Sequence, residues 1–424
     1  VAVPVTMVSL SQADYSSLVL SRLSTTEYEV VDTNLQPFGS LGFSIFAEFS
    51  VLRLSVKLKS SNQVSELSFI VKTPPGLETC ADFVSSIRAF YKEPVVYDKI
   101  LKDLNDHIAK KVGPDCFLAQ PEKVIVLDNV FDLGYRKVDI KREFNLHHCE
   151  LVLDALASLH ASSLILEEKK SAKIPEIYPD LLFETVFSDE TNHPGFDFMC
   201  TGINTLETLF TTHFTHFPKN IIKETMSLVR NLPFKLKPSV TYKNVLNHGG
   251  VWAENALFAY GIDGHPTDVR LIDFSNARYA PPACDVLTFL HLTTSRAFRE
   301  LHQGALLTHY YSQLAKEVKE KGYDLGDLLP WTEFEASVQH YLGTAIVGSL
   351  MHIHVTLLPD DTLAAVTKDS NALTAFMFED RSERVLSAYS YDEGYRRRLS
   401  QALVQALEYT QFRGRRRSSV YISA

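Results

Sequence analysis

The stretch that decides the fold is Val245-Leu-Asn-His-Gly-Gly-Val-Trp-Ala-Glu-Asn-Ala-Leu-Phe258, followed by Val269-Arg-Leu-Ile-Asp-Phe-Ser-Asn-Ala-Arg-Tyr279. Two apolar runs bracket His248 and Asn255, and an Asp273-Phe274 pair ends the second run. The pattern predicts strand, loop, strand, with Gly261-Ile-Asp-Gly264 as the connecting turn. A carboxylate closing a buried strand needs a partner, because burying an unpaired charge is costly. A divalent cation is a natural partner for Asp273, and a cap or turn role is the alternative. Position 250, five residues before Asn255, carries a glycine and so no functional group.

Upstream of this segment the chain is strand-rich. Leu52, Leu54, Val56 and Leu58 alternate with Arg53, Ser55, Lys57 and Lys59, which predicts a half-buried strand. Ser60 to Gln63 is a polar turn, and Glu66 to Lys72 is the return strand of an antiparallel hairpin. A leading helix is expected within 11–30. After Pro74-Pro-Gly76 a helix is expected from Ala81 to Leu104, kinked or divided at Pro94. Gln120 to Leu127 reads as one more strand, and the lobe boundary falls at Asp128.

Beyond that boundary the pattern is helical. Leu151, Val152, Ala155, Leu156 and Leu159 mark the buried face of a strong amphipathic helix. Residues 168–195 are polar with three prolines and read as a surface excursion. Helices are expected over 197–230, 284–323, 331–355, 370–388 and 391–411. The chain therefore divides into a 1–127 lobe, a 128–411 helical lobe carrying the 243–279 segment, and a basic 412–424 tail expected to be disordered.

The totals are those of an ordinary globular protein: 424 residues, 45% hydrophobic and 22% charged. A net charge of −9 gives no reason to expect nucleic acid or an anionic membrane as partner. Five scattered cysteines show no metal-ligand spacing and point to a reduced, cytoplasmic protein. No apolar run reaches the roughly 18 residues of a spanning helix, and the first ten residues do not read as a signal peptide.

One chemistry fits these residues in this order. Phosphoryl transfer needs the phosphates gripped, their charge offset by metal, and the acceptor hydroxyl aimed in line. In the kinase arrangement a strand Lys grips the phosphates and a helix Glu holds that Lys. A loop Asp serves the acceptor, and an Asn five residues later and an Asp on the next strand hold metal. Lys72 ends its strand and Glu93 lies in the following helix. Alone, each reads as a solvated surface charge; in this order they match the Lys–Glu pair. His248 reads as a packing and hydrogen-bonding element rather than a base.

Five blocks make the match specific: Phe69-Ile-Val-Lys72, Phe90-Tyr-Lys-Glu93, Leu156-Ala-Ser-Leu-His-Ala161, His248-Gly-Gly-Val-Trp-Ala-Glu-Asn255 and Leu271-Ile-Asp-Phe-Ser-Asn-Ala-Arg-Tyr-Ala-Pro-Pro-Ala-Cys-Asp285. On these the chain resembles the ecdysteroid kinase-like family, also called CHK kinase-like, which is related to choline and aminoglycoside phosphotransferases. The resemblance implies an α+β, bilobal, protein-kinase-like fold and an ATP-dependent kinase of small hydroxylated molecules, ecdysteroids among them. By that resemblance Lys72 binds the α and β phosphates of ATP and Glu93 holds Lys72. Asn255 and Asp273 bind Mg2+, and Asp285 fastens the catalytic loop to the helical lobe. Asp128 and Asn129 lie at the hinge where the adenine edge meets backbone groups, and Gly39 and Gly42 flank a loop over the phosphates.

The departures matter equally. The family's loop reads His-Gly-Asp, whereas this chain has His248-Gly249-Gly250. A missing general base costs about 10²–10⁴-fold in turnover without preventing nucleotide binding. Glu254 is the nearest carboxylate in sequence and is expected to point elsewhere. The hinge reads Asp128-Asn129 where the family favours Glu-Asp. Three readings follow: a pseudokinase that binds ATP and a small ligand or protein partner, a working kinase of a steroid-like alcohol, and a structural subunit with an empty cleft.

Overall fold

The computed structural model describes residues 10–38, 46–107 and 110–421. Its architecture is α+β, a small antiparallel sheet lobe followed by a large helical lobe. The sheet has five strands in the order β1-β2-β3-β5-β4: β1 (Tyr28–Pro37), β2 (Glu48–Leu58), β3 (Val64–Thr73), β4 (Cys116–Gln120) and β5 (Val124–Asp128). The β2–β3 hairpin forms as the alternation predicts, with Leu52 opposite Phe69 and Phe49 opposite Lys72. Leu52, Leu54 and Val56 are fully buried, and they pack with Leu18 and Val19 of helix α1 (Gln12–Leu23). The leading helix therefore stops early, at a left-handed Ser24, and residues 28–37 become an outer strand.

Two expectations for this lobe need correction. The single strand over 120–127 is a hairpin, β4 and β5, and every residue of β5 is buried. The long helix divides into α2 (Glu78–Ser86), α3 (Ala89–Val95) and α4 (Leu101–Asn105). The break lies at Arg88, whose φ of 55° takes the chain out of the helix, and not at Pro94. Pro94 lacks an N–H to donate, and one wide π turn over Val96–Ile100 follows it.

The helical lobe is organised on α5 (Leu146–Lys170), buried over most of its length and packed on the helix Arg296–Glu320. A second apolar cluster gathers around the helix Trp331–Thr356. Between them lie β6 (Arg136–Lys137), β7 (Val245–Asn247), β8 (Ala256–Tyr260), β9 (Pro266–Leu271) and β10 (Arg278–Ala280). The expected strand-turn-strand is thus two small sheets, β6-β8-β9 and β7-β10. The 168–195 excursion is not confined to the surface, because Ile174, Leu181, Leu182 and Phe187 are buried. The last helix runs Glu393–Tyr421 and carries helix into the basic segment, where no proline interrupts it.

Candidate functional site

Register places the first group. Lys72 sits on β3 opposite Ile125 of β5, and its side chain is 5% exposed. Its Nζ donates to Glu93 Oε2 of α3 at 2.6 Å and lies 3.1 Å from Asp273 Oδ1. Burial disfavours the Lys72 ammonium, but Asp273 and Glu93 outweigh it and raise its pKa. Burial drives Glu93 up to about 7, and Lys72 offsets only part of this. Among the described residues Glu93 Oε1 has no hydrogen-bond partner, in line with that direction. Asp273 is the better solvated carboxylate, 36% exposed; burial pushes it up, yet Lys72 and Ser275 hold it below its ordinary value. One ammonium is therefore shared by two carboxylates, and Asp273 keeps the charge.

Asp273 has φ 66° and caps the turn Phe274–Asn276 through its side chain. The left-handed backbone costs about 1–3 kcal/mol for a non-glycine residue, a strain found at functional sites. Asn255 ends a short turn before β8, and its Nδ2 donates to the Gly250 carbonyl at 2.8 Å. Its Oδ1 accepts no hydrogen bond among the described residues, which leaves it for a cation. Magnesium is commonly held by one or two protein oxygens plus substrate phosphates, so Asp273 and Asn255 could supply the protein's share of such a site. Among the described residues there is no cluster of three His, Cys, Asp or Glu side chains that would hold a metal alone.

Asp285 is buried at the start of the helix Pro282–Thr293. Its carboxylate accepts the backbone N–H of His248 at 2.6 Å and of Gly249 at 2.9 Å. Burial pushes its pKa up, and hydrogen bonding with His160 leads the effects that hold it low. His248 is fully engaged. Its Nε2 donates to the Ile272 carbonyl at 3.1 Å, and its Nδ1 accepts the Gly250 N–H at 3.3 Å. Burial keeps the ring neutral, and it packs on Phe274 at 4.4 Å. It has no nitrogen to spare for a proton.

Lys72, Glu93, Asn255, Asp273 and Ser275 line one large cavity between the lobes, partly open to solvent, and Gly250 lines it too. Asp128, Val130 and Phe131 form its hinge side. The Asp128 side chain faces the cavity, and the Asn129 amide donates to Ser68 Oγ at 2.9 Å. Asp128 is itself held by Arg22 at 3.2 Å. Gly39 and Gly42 lie outside the described residues. Glu254 does not point elsewhere. It lines the cavity and is ion-paired with Lys137 of β6, which also lines it.

Sequence reading missed the far half of the cavity. Phe83, Phe187, Phe198, Leu292, Met351 and Val355 wall it, drawn from five segments distant in sequence. It also missed the buried pair Glu184–Arg278, whose Arg278 Nη2 donates to the Gly249 carbonyl at 3.0 Å. A polar stretch with prolines hid Glu184; its only signal was flanking apolar residues at 181, 182 and 187.

The paired strand Lys and helix Glu, the Asn and Asp facing them and the anchored loop define a kinase-like phosphotransferase fold. The ecdysteroid kinase-like family model matches residues 49–323, and the chain belongs to that family. Nothing matches among curated protein sequences. Solved structures give distant likenesses. One is the GDP and kanamycin complex of APH(2")-IIia, with TM-score 0.36 and 10% identity over 89% of this chain and 99% of that one. Another is a choline/ethanolamine kinase family protein from Mesorhizobium loti, with TM-score 0.35 and 11% identity over 93% and 98%.

Proposed function

We propose that this ecdysteroid kinase-like protein binds ATP with Mg2+ in the interlobe cavity and is impaired in phosphotransfer, acting as a pseudokinase. The observation that carries the reading is the convergence of Lys72, Glu93, Asp273 and Asn255 on a cavity that Gly250 also lines. Lys72, held in place by Glu93, grips the α and β phosphates, and Asp273 with the Asn255 amide oxygen would hold Mg2+, which offsets the phosphate charge when bound. At Gly250 nothing receives the acceptor proton. The aromatic and aliphatic far half suits a small, largely apolar hydroxylated molecule such as a steroid-like alcohol.

Calorimetric titration with ADP and Mg2+ tests the first part, and an absence of heat and of thermal stabilisation would remove it. ATP turnover with a panel of hydroxylated steroids, before and after Gly250→Asp, tests the second. The wild type is expected near background and Gly250→Asp about 10²–10⁴-fold above it. A wild type as fast as the variant makes the protein a working kinase.

A further inference from the structure

The place vacated at Gly250 is not empty of polar groups. A Cβ built on Gly250 would stand 3.3 Å from Asn276 Nδ2 and 3.6 Å from Asn276 Cβ. The Asn276 side chain therefore reaches to where a carboxylate at 250 would begin. It lines the large cavity, and it also lines a smaller adjoining one behind Gly249, walled by Arg278, Thr288 and Tyr341. Its amide makes no hydrogen bond among the described residues, and its Nδ2 is the atom nearest position 250.

The backbone explains how Asn276 comes so near. Its carbonyl oxygen lies 1.9 Å from where a Gly249 Cβ would be, and Gly249 has φ 79°. Only glycine at 249 admits this approach. The turn Phe274–Asn276, fixed by the Asp273 side chain, presses residue 276 against the loop. Two glycines in succession leave the loop narrow enough for the amide to enter.

We propose that Asn276 is the acceptor-orienting residue of this site, its amide standing in for the missing carboxylate. The inference rests on the nucleotide reading above. The amide N–H, the group nearest position 250, donates to a lone pair of the acceptor oxygen and so holds that oxygen toward the γ-phosphorus, and no proton passes to the amide. The acceptor O–P bond forms as the bond from the γ-phosphorus to the β,γ-bridging oxygen breaks, its electron pair leaving on ADP. The hydroxyl proton goes to an oxygen of the transferred phosphoryl group. With water as acceptor, ATP and water give ADP and inorganic phosphate. A loose transition state makes this admissible, because positioning carries most of the rate and proton removal little.

The test uses the full chain, ATP, Mg2+ and water, so no acceptor need be known. Wild-type phosphate release is expected to be slow but above the enzyme-free blank, and Asn276→Ala is expected to bring it down to that blank. Asn276→Asp, which brings a carboxylate to the same spot, is expected to raise it about 10²-fold. It should also add a rise with pH through the carboxylate range on top of the dependence that Asp273 and Glu93 give wild type. ADP titration of each variant should stay within about twofold of wild type, since the substitution leaves the phosphate and metal groups untouched. Phosphate release unchanged in both variants with ADP still bound overturns the proposal, as does a gain in Asn276→Asp with no added pH dependence. A wild type that binds no ADP overturns the nucleotide reading instead, and this proposal with it.

Discussion

Arg278 Nη2 donates to the Gly249 carbonyl at 3.0 Å, and the same guanidinium is ion-paired with Glu184. The catalytic-loop backbone is thus tied to the wall of the apolar half, because Glu184 also accepts the N–H of Val186 and of Phe187. Behind that wall, Lys92 Nζ donates to the Phe183 carbonyl at 2.8 Å. Lys92 adjoins Glu93, so one turn of α3 serves both the wall and Lys72.

Breaking this pair from one side should be costly. Arg278→Met leaves a buried carboxylate unpaired and is expected to cost about 3–5 kcal/mol in urea denaturation. Burial pushes Glu184 up, but Arg278 and the two N–H groups hold its pKa below the ordinary value. Its contribution is therefore complete above the unfolded value and lost as pH falls through the folded one. The variant should show a weaker stability loss on acidification than wild type; equal losses would mean that Glu184 does not report the pair.

Adjacent glycines should behave differently. Gly249→Ala meets the Asn276 carbonyl oxygen at 1.9 Å from a left-handed backbone, and a cost of about 3 kcal/mol or more is expected. Gly250→Ala has an ordinary backbone and meets only the end of an amide at 3.3 Å, so its cost should stay below about 1 kcal/mol. Denaturation midpoints of the two variants decide it, and similar losses would refute the backbone account.

What the chain reveals by itself is what local pattern encodes. The β2–β3 alternation fixed Lys72 at a strand end, and the spacing from Asn255 to Asp273 and Asp285 placed three groups on one loop and its anchor. Glu184, Lys137 and Asn276 were not legible, because each acquires its role from a partner or neighbour far away in sequence or across a turn. Glu254 was misjudged for the same reason: nothing local signals Lys137, 117 positions away.

Asp273→Asn keeps the side chain's shape but removes its charge. It should lower Mg2+–ADP affinity by at least about tenfold, since even the partners that orient metal ligands are worth about 10- to 100-fold. In excess chelator, wild type and variant should converge. A variant that still responds to Mg2+ as wild type does would move the metal site elsewhere.

Glu93 carries the clearest pH dependence near neutrality. Its folded pKa of about 7 lies above its unfolded value, because burial outweighs the Lys72 ammonium it shares with Asp273. Between those two values the folded state holds a proton that the unfolded state has released. Stability therefore falls as pH rises through this window, by on the order of 3 kcal/mol in all, and levels off above the folded pKa. Asp273 acts oppositely, with a lowered pKa, and its contribution is lost only in acid. Denaturation of the ligand-free protein at pH 6 and pH 8 separates the two. Wild type should lose stability between these points, and Glu93→Gln, which cannot ionise, should lose less. Identical slopes in the two proteins would assign the titration to another group and leave Glu93 charged throughout.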